Sequence, residues 1–302
     1  MHYAVSSLRD PRPGQRVKRS GGQKGRQRMR QVETFMQQFK ETGAYRTPPE
    51  ALGKPHRNGW MTSLSFNIRA LGGAMLRGGW LAHHHAFDDR RWEECGFHLF
   101  WETERLGTEV IIEGFKQLEG VGPVVVVSNH MSLYETFAFP PLLLAYGGVA
   151  IVLKKSLLRV PYVGKTFASR KVIPVGRVDP RADLKAVLEH GERFLREEKA
   201  SVILYPQGTR QPYFDYHHFN TLGVKLAQNA GVPVVPVAGQ TAFLGVGKYT
   251  KDFGPVDVTA PVRFACGPVI PVTRETAKEA QAQCIDFIAS KLTEWGKVEV
   301  RR

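Results

Sequence analysis

Two short stretches bring together residue types that could do chemistry. In the first, four valines (Val124 to Val127) run into Ser128, Asn129 and His130, and a carboxylate, Glu135, follows five residues after the histidine. A strand that ends this way and turns into a helix sets its imidazole at the carboxyl edge of a sheet, where α/β folds usually place their sites. A carboxylate within reach could hold the ring in one tautomer and stabilise its protonated form while the other ring nitrogen takes a proton. No G-x-S-x-G elbow is present and no cysteine lies nearby, so such a base would act directly on a substrate hydroxyl. Two plainer roles stay open. Ser132 and Glu135 form the S-x-x-E pattern of a capping box, and His130 could be a histidine simply satisfied at a strand end.

The second stretch, SVILYPQGTR, covers residues 201–210. An apolar strand enters a turn centred on Gly208, which permits close backbone approach. Thr209 offers a hydroxyl and Arg210 a planar fork suited to an anion such as phosphate. The plain alternative is a strand-to-loop turn with a surface arginine.

The elements that must position these residues are legible in the pattern. Apolar, β-branched runs recur at 108–113, 123–128, 149–153, 171–175, 201–205, 232–238 and 262–270, mostly separated by helical patterns. That alternation argues for an α/β sheet, mixed but mostly parallel, flanked by helices. The clearest helix is 180–198, with Asp179 as N-cap, Pro180 in the first helical position, and Leu184, Val187, Leu188 and Leu195 along one stripe.

Ahead of this domain, at 92–302, the chain changes character twice. Residues 1–58 hold 13 Lys/Arg against 4 Asp/Glu, about 9 of the net +14 charges, and read as a basic, largely disordered tail attracted to an anionic surface. Residues 59–91 carry an apolar stretch, Trp60 to Leu81, interrupted by Arg69, Arg77 and glycines. It is too polar to span a bilayer and suits short helices at an interface, with Trp and Arg at headgroup level. Docking on the domain's own core is the competing expectation. Three scattered cysteines exclude a disulfide framework or a CxxC metal site, and no signal peptide or 18-residue apolar run is visible. The basic tail lacks interleaved aromatics or a reading module, so no specific nucleic-acid partner is expected. Consecutive histidines at 83–85 point in different directions and are not expected to share a metal. The aromatics of YFDYHHF (213–219) could line a lipid entry, but core packing is the simpler role.

Taken in order, the motifs resemble the four sequence blocks of the lysophospholipid acyltransferase family. NHMSLYE is similar to that family's N-H-x-S-x-x-D, and KKSLLRVPYVG (154–164) with VIPVGR (172–177) to the second block. YPQGTR is similar to F-P-E-G-T-R, and VPVVPV (232–237) to the fourth. The resemblance spans roughly residues 92 to 270. It implies the glycerolipid acyltransferase fold and an O-acyltransferase of phospholipid biosynthesis. His130 would be the general base and Glu135 its partner. Gln207, Gly208, Thr209, Arg210 and Arg177 would bind an acceptor such as lysophosphatidic acid, with Lys154 and Lys155 adding to the anion site or to pantetheine phosphate contacts. Backbone donors near the 204–210 turn would face the oxyanion. The donor would be acyl-CoA or acyl-carrier protein, with no metal or bound cofactor. The expected place of work is the cytoplasmic face of a membrane.

Two positions depart from the family pattern. Glu135 for Asp adds one methylene of reach. Gln207 for Glu removes a carboxylate, so Arg210 and Arg177 would have no acid beside them and would favour a doubly charged acceptor. The same change motivates a second reading, a catalytically silent lipid-binding protein of this fold. Glycerol 3-phosphate, a lyso-ornithine lipid or a glycolipid would be acylated by the same chemistry.

Overall fold

The computed structural model describes residues 23–248 and 252–301. An eight-stranded sheet carries the site. In chain order its strands are β1 (Tyr45–Arg46), β2 (Val110–Glu113), β3 (Val125–Ser128), β4 (Gly148–Lys154), β5 (Lys171–Val175), β6 (Ala200–Leu204), β8 (Val234–Gln240) and β9 (Val262–Cys266). Across the sheet the order is β1-β2-β9-β8-β3-β6-β4-β5, and only the β1–β2 and β8–β9 pairings are antiparallel. The expected mixed, mostly parallel sheet is therefore the one observed. β3 lies between β8 and β6, with Val125 to Val127 buried, as a strand covered on both faces requires.

Helices cover the two faces. One core holds α4 (Asp89–Arg105) and α5 (Tyr134–Leu144). The other holds α7 (Pro180–Arg196), α8 (Leu222–Ala230) and α9 (Ala277–Trp295). Asp179 caps α7 as expected, accepting from the backbone N–H groups of Arg181 and Ala182. Gly96 lets α4 meet α5, since a Cβ there would stand 2.3 Å from Pro141. The sequence pattern did not reveal β7 (Tyr213–Asp215) and β10 (Glu299–Arg301). They pair as a separate two-stranded sheet, too short for an alternation to show.

The expected tail does not run to residue 58. Residues 1–22 lie outside the described residues, but Gln23–Thr42 forms α1 and β1 joins the sheet edge. Val32, Phe35 and Phe39 are buried, and Phe35 packs edge-on against Tyr45 and beside Phe97 and Phe100. The hydrophobic stripe outweighs the basic composition around it.

Between them lie α2 (Trp60–Phe66), a π-helical turn (Asn67–Gly72) and α3 (Gly73–His83), with one face docked on the domain and the other open. One face is docked: Phe66, Ala70, Leu71 and Ala74 are buried, with Phe66 edge-on to Phe243. Gly79 allows α3 to approach α6 (Val163–Ala168), because a Cβ there would stand 2.4 Å from the Tyr162 side chain. The other face is open, with Trp60 75%, Met61 67%, Ile68 61%, Leu76 60% and Trp80 56% exposed. The arginines differ from expectation. Arg69 is ion-paired to Glu102 (3.0 Å) and Arg77 to Glu94 (2.8 Å), so both fasten the segment to α4. No helix among the described residues is long and apolar enough to cross a membrane.

Candidate active site

β3 ends at Ser128, and His130 follows at the carboxyl edge of the sheet with only 8% of its surface exposed. Asn129 fixes the exit. Its amide donates to Gly239 O (2.7 Å) and accepts from Gly239 N (2.8 Å), tying the motif to β8. His130 Nδ1 stands 3.3 Å from Glu135 Oε2. The two are at ion-pair distance, but Nδ1 makes no aligned hydrogen bond. Such pairs commonly tighten only around substrate.

Glu135 is fully buried; it caps the helix start, and one of its oxygens faces the imidazole. Its Oε2 accepts from Ser132 N (2.9 Å) and its Oε1 from Met131 N (3.0 Å), and Ser132 Oγ accepts from Tyr134 N (3.1 Å). This is a capping arrangement at the start of α5. The Thr241 hydroxyl also donates to Oε1, and Ser132 Oγ lies 3.0 Å from Thr241 Oγ1. The donors satisfy a carboxylate that would otherwise be costly to bury, and Oε2 still faces the imidazole.

The second stretch and the residue that follows it grip His130 at three points. Gln211 N donates to His130 O (2.9 Å), Gln207 Oε1 accepts from His130 N (3.4 Å), and the Tyr205 ring stacks on the imidazole at 4.1 Å and 20°. Tyr205 in turn stacks near Phe139, and burial pushes its hydroxyl pKa well up. Gln207 is placed as a strut between two backbone groups. It is buried, and its Nε2 donates to Tyr213 O (3.3 Å) on β7, while Arg301 from β10 lies over the Tyr213 ring. Two of the backbone donors expected for an oxyanion are engaged, Gly208 N with Tyr205 O and Gln211 N with His130 O.

Gly208 adopts φ 70° and is exposed with Thr209 beside it. Arg210 and Arg177 are near enough for their charges to act on one another. Burial first, and then the charge of Arg210, push the Arg177 guanidinium below its ordinary pKa, against a smaller pull from Asp183. Arg177 takes a left-handed φ of 61°, held there because the Asp183 carboxylate accepts from the backbone N–H groups of Gly176 and Arg177 (both 2.7 Å).

The expectation that no acid stands beside Arg210 is overturned: Arg210 Nη2 is 2.6 Å from Asp252 Oδ1. Nothing in the sequence pointed to this residue, which lies 42 positions away on another loop. Thr241 was also missed, although it directly follows β8. Lys154 ends β4, opposite Val175 in the register, and Lys155 follows it. Both are exposed. The aromatics after the turn pack inward, with Phe214 and Phe219 buried and in edge contact. Among the described residues no group of three or more His, Cys, Asp or Glu gathers to hold a metal.

Residues 109–240 match the model of the acyltransferase family. Over 180 residues the chain is 34% identical to a 1-acyl-sn-glycerol-3-phosphate acyltransferase of Pseudomonas aeruginosa, covering 58% of this chain and 65% of that protein. It is 28% identical over 165 residues to a chloroplastic 1-acyl-sn-glycerol-3-phosphate acyltransferase of Brassica napus, covering 54% of this chain and 43% of that one. The chain thus spans less than two-thirds of the length of these relatives. The crystal structure of the 1-acyl-sn-glycerophosphate acyltransferase from Thermotoga maritima superimposes with a TM-score of 0.56 at 19% identity, over 78% of this chain and 97% of that one. The resemblance expected from the motifs is borne out, and so is the fold.

Proposed function

We propose that the protein is an O-acyltransferase that moves a fatty acyl group from a thioester, acyl-CoA or acyl-carrier protein, to a hydroxyl of lysophosphatidic acid at a membrane surface. The observation that carries this is His130, presented at a sheet edge 3.3 Å from buried Glu135, with Arg210 next in sequence to Gln211, whose N–H donates to His130 O. His130 Nε2 takes the proton of the acceptor hydroxyl as its oxygen attacks the thioester carbonyl carbon. Glu135, facing Nδ1, holds the tautomer and balances the imidazolium. The tetrahedral intermediate then expels the thiolate, which receives the proton from His130, leaving ester and free thiol.

Arg210 and Arg177 hold the acceptor phosphate by charge-assisted hydrogen bonds, with Thr209 beside them. The exposed apolar face of α2 and α3 rests in the headgroup layer and brings the site to a lipid whose tail stays in the bilayer. A site fed by such thioesters faces the cytoplasm, where they are made. Thiol release from a long-chain acyl-CoA is expected to depend on lysophosphatidic acid and to be lost in His130→Ala with the fold retained. Equal release by the variant would remove His130 from the chemistry.

A further inference from the structure

The match to the family model ends at residue 240, yet one support of the base lies beyond it. Both contacts of Gln207 are long for hydrogen bonds, 3.4 Å with His130 N and 3.3 Å with Tyr213 O. A shift of about 0.3 Å at Tyr213 would break the second. Tyr213 belongs to β7, and among the described residues β7 pairs only with β10. Glu299 stands opposite Tyr213, Val300 opposite Phe214 and Arg301 opposite Asp215, and Tyr216 N donates to Arg301 O (3.1 Å). Two such short strands are weak alone, so side chains must hold them together. Phe214 does so from the buried side. On the other side the Arg301 guanidinium lies 3.6 Å from the centre of the Tyr213 ring, and Glu299 holds it there, accepting from Nε (2.9 Å) and Nη2 (3.1 Å). The start of the same segment is tied to the other half of the site. Gly296, at φ 66° and ψ −174° in a region essentially confined to glycine, accepts at its carbonyl from Gln240 Nε2 (2.5 Å), and the next residue, Thr241, donates to Glu135.

We propose that Arg301 and Tyr213 are positioning residues for the reaction: Arg301, stacked on Tyr213, fixes the carbonyl that holds Gln207, and Gln207 fixes the place at which His130 leaves β3. The proposal rests on the acyltransferase reading above and adds two residues to the support of its base, Arg301 lying outside the stretch matched to the family. A general base must stay within hydrogen-bond reach of the hydroxyl it deprotonates, and a misplacement of about 1 Å costs on the order of 100-fold. A clamp of two long hydrogen bonds keeps that distance only as firmly as its outer end is held. The outer end is carried by an exposed cation–aromatic contact, so its loss loosens the base without dismantling the site. His130 would still have its carbonyl held by Gln211 N and its ring stacked on Tyr205. The cost is therefore small and falls on the chemical step rather than on binding.

The test compares wild type, Arg301→Ala, Gln207→Met and the double variant. The Arg301 side chain is 46% exposed, so its removal leaves the core intact, and Met keeps the length of Gln207 while removing both amide contacts. With a long-chain acyl-CoA and lysophosphatidic acid, kcat is expected to fall about two- to fivefold in Arg301→Ala at unchanged KM, the scale of an exposed cation–aromatic contact. The two losses are expected not to add in the double variant, because Arg301 acts through Gln207. Hydrogen exchange of the His130 amide, followed by NMR, gives a readout without turnover. It is expected to quicken by about the same factor in Arg301→Ala, while the Val126 amide on β3 exchanges as in wild type. Exchange that rises equally at Val126 marks a general loss of stability and overturns the proposal. Additive losses of kcat, a change confined to KM, or unchanged exchange at His130 overturn it as well. Faster exchange at His130 alone, in proteins that transfer no acyl group to any lysolipid, would sink the acyltransferase reading and leave the brace standing.

Discussion

Restoring the family's glutamate at position 207 is expected to harm this protein. Gln207 uses both halves of its amide: Oε1 accepts from His130 N at 3.4 Å and Nε2 donates to Tyr213 O at 3.3 Å. In Gln207→Glu the first contact survives and the second is replaced by a carboxylate oxygen facing a carbonyl. Loss of one long neutral hydrogen bond removes about 0.5–1 kcal/mol, and leaving buried acceptors unsatisfied adds about 1–3 kcal/mol. A total near 2 kcal/mol corresponds to a fall in Tm of roughly 4–8 °C at this size of domain.

The deficit has a pH signature. Burial and the opposing carbonyl raise the introduced acid's pKa in the folded protein above its unfolded value. Its contribution is then most favourable below the unfolded pKa, where the protonated acid can donate to Tyr213 O. That contribution is lost as pH rises through the folded pKa. Thermal unfolding of both proteins at pH 5 and pH 8 measures it, and the variant's deficit should be larger at pH 8. A variant at least as stable as wild type at pH 8 would refute the strut, because it would mean that the carboxylate finds Arg210 and leaves Tyr213.

Three other outcomes are expected. Thr241→Val removes the hydroxyl that donates to Glu135; kcat should fall at unchanged KM for the acceptor, with a stability loss of about 1–3 kcal/mol, and a pure KM effect would contradict this placement. Trp60→Ser combined with Ile68→Ser strips two residues that are 75% and 61% exposed; co-sedimentation with anionic vesicles should drop at least about tenfold, given roughly 1.5–3 kcal/mol per large side chain buried, while unaltered sedimentation would show that this face meets no bilayer. Burial raises the Glu104 pKa against the pull of the Tyr45 and Thr47 hydroxyls. Its folded-state stability contribution is therefore present at low pH and lost as pH rises above the unfolded carboxylate value. In Glu104→Gln the amide oxygen can still accept from both hydroxyls, so urea unfolding should show the variant gaining on wild type from pH 5 to pH 8.

What could be read from the sequence was what repeats or lies close along the chain. The apolar runs announced the long strands, Asp179 and Pro180 marked the start of α7, and His130 and Glu135 sit five residues apart across one turn. The residues that went unread act across distance. Asp252 reaches Arg210 from a turn positioned by α2, and Thr241 meets Glu135 only because β8 lies beside β3. Arg69 and Arg77 were misassigned for the same reason. Their place among exposed Trp and Leu suggested headgroups, whereas Glu102 and Glu94 on α4 attract both.

The two departures from the family pattern have different physical consequences. At position 135 the carboxylate is kept, and the longer side chain lets one oxygen take Met131 N and Thr241 Oγ1 while the other takes Ser132 N and faces His130. Capping and orienting do not compete, because a carboxylate has lone pairs for both and the capped turn is the one that carries His130 toward it. At position 207 the charge is given up, and two things change together. The amide can join two backbone groups that a carboxylate could not, which stiffens the link between His130 and β7. The balancing charge for Arg210 then comes from a loop anchored on the apolar helix α2. Gln207 thereby ties the base to β7, so substitutions there should act on kcat and stability.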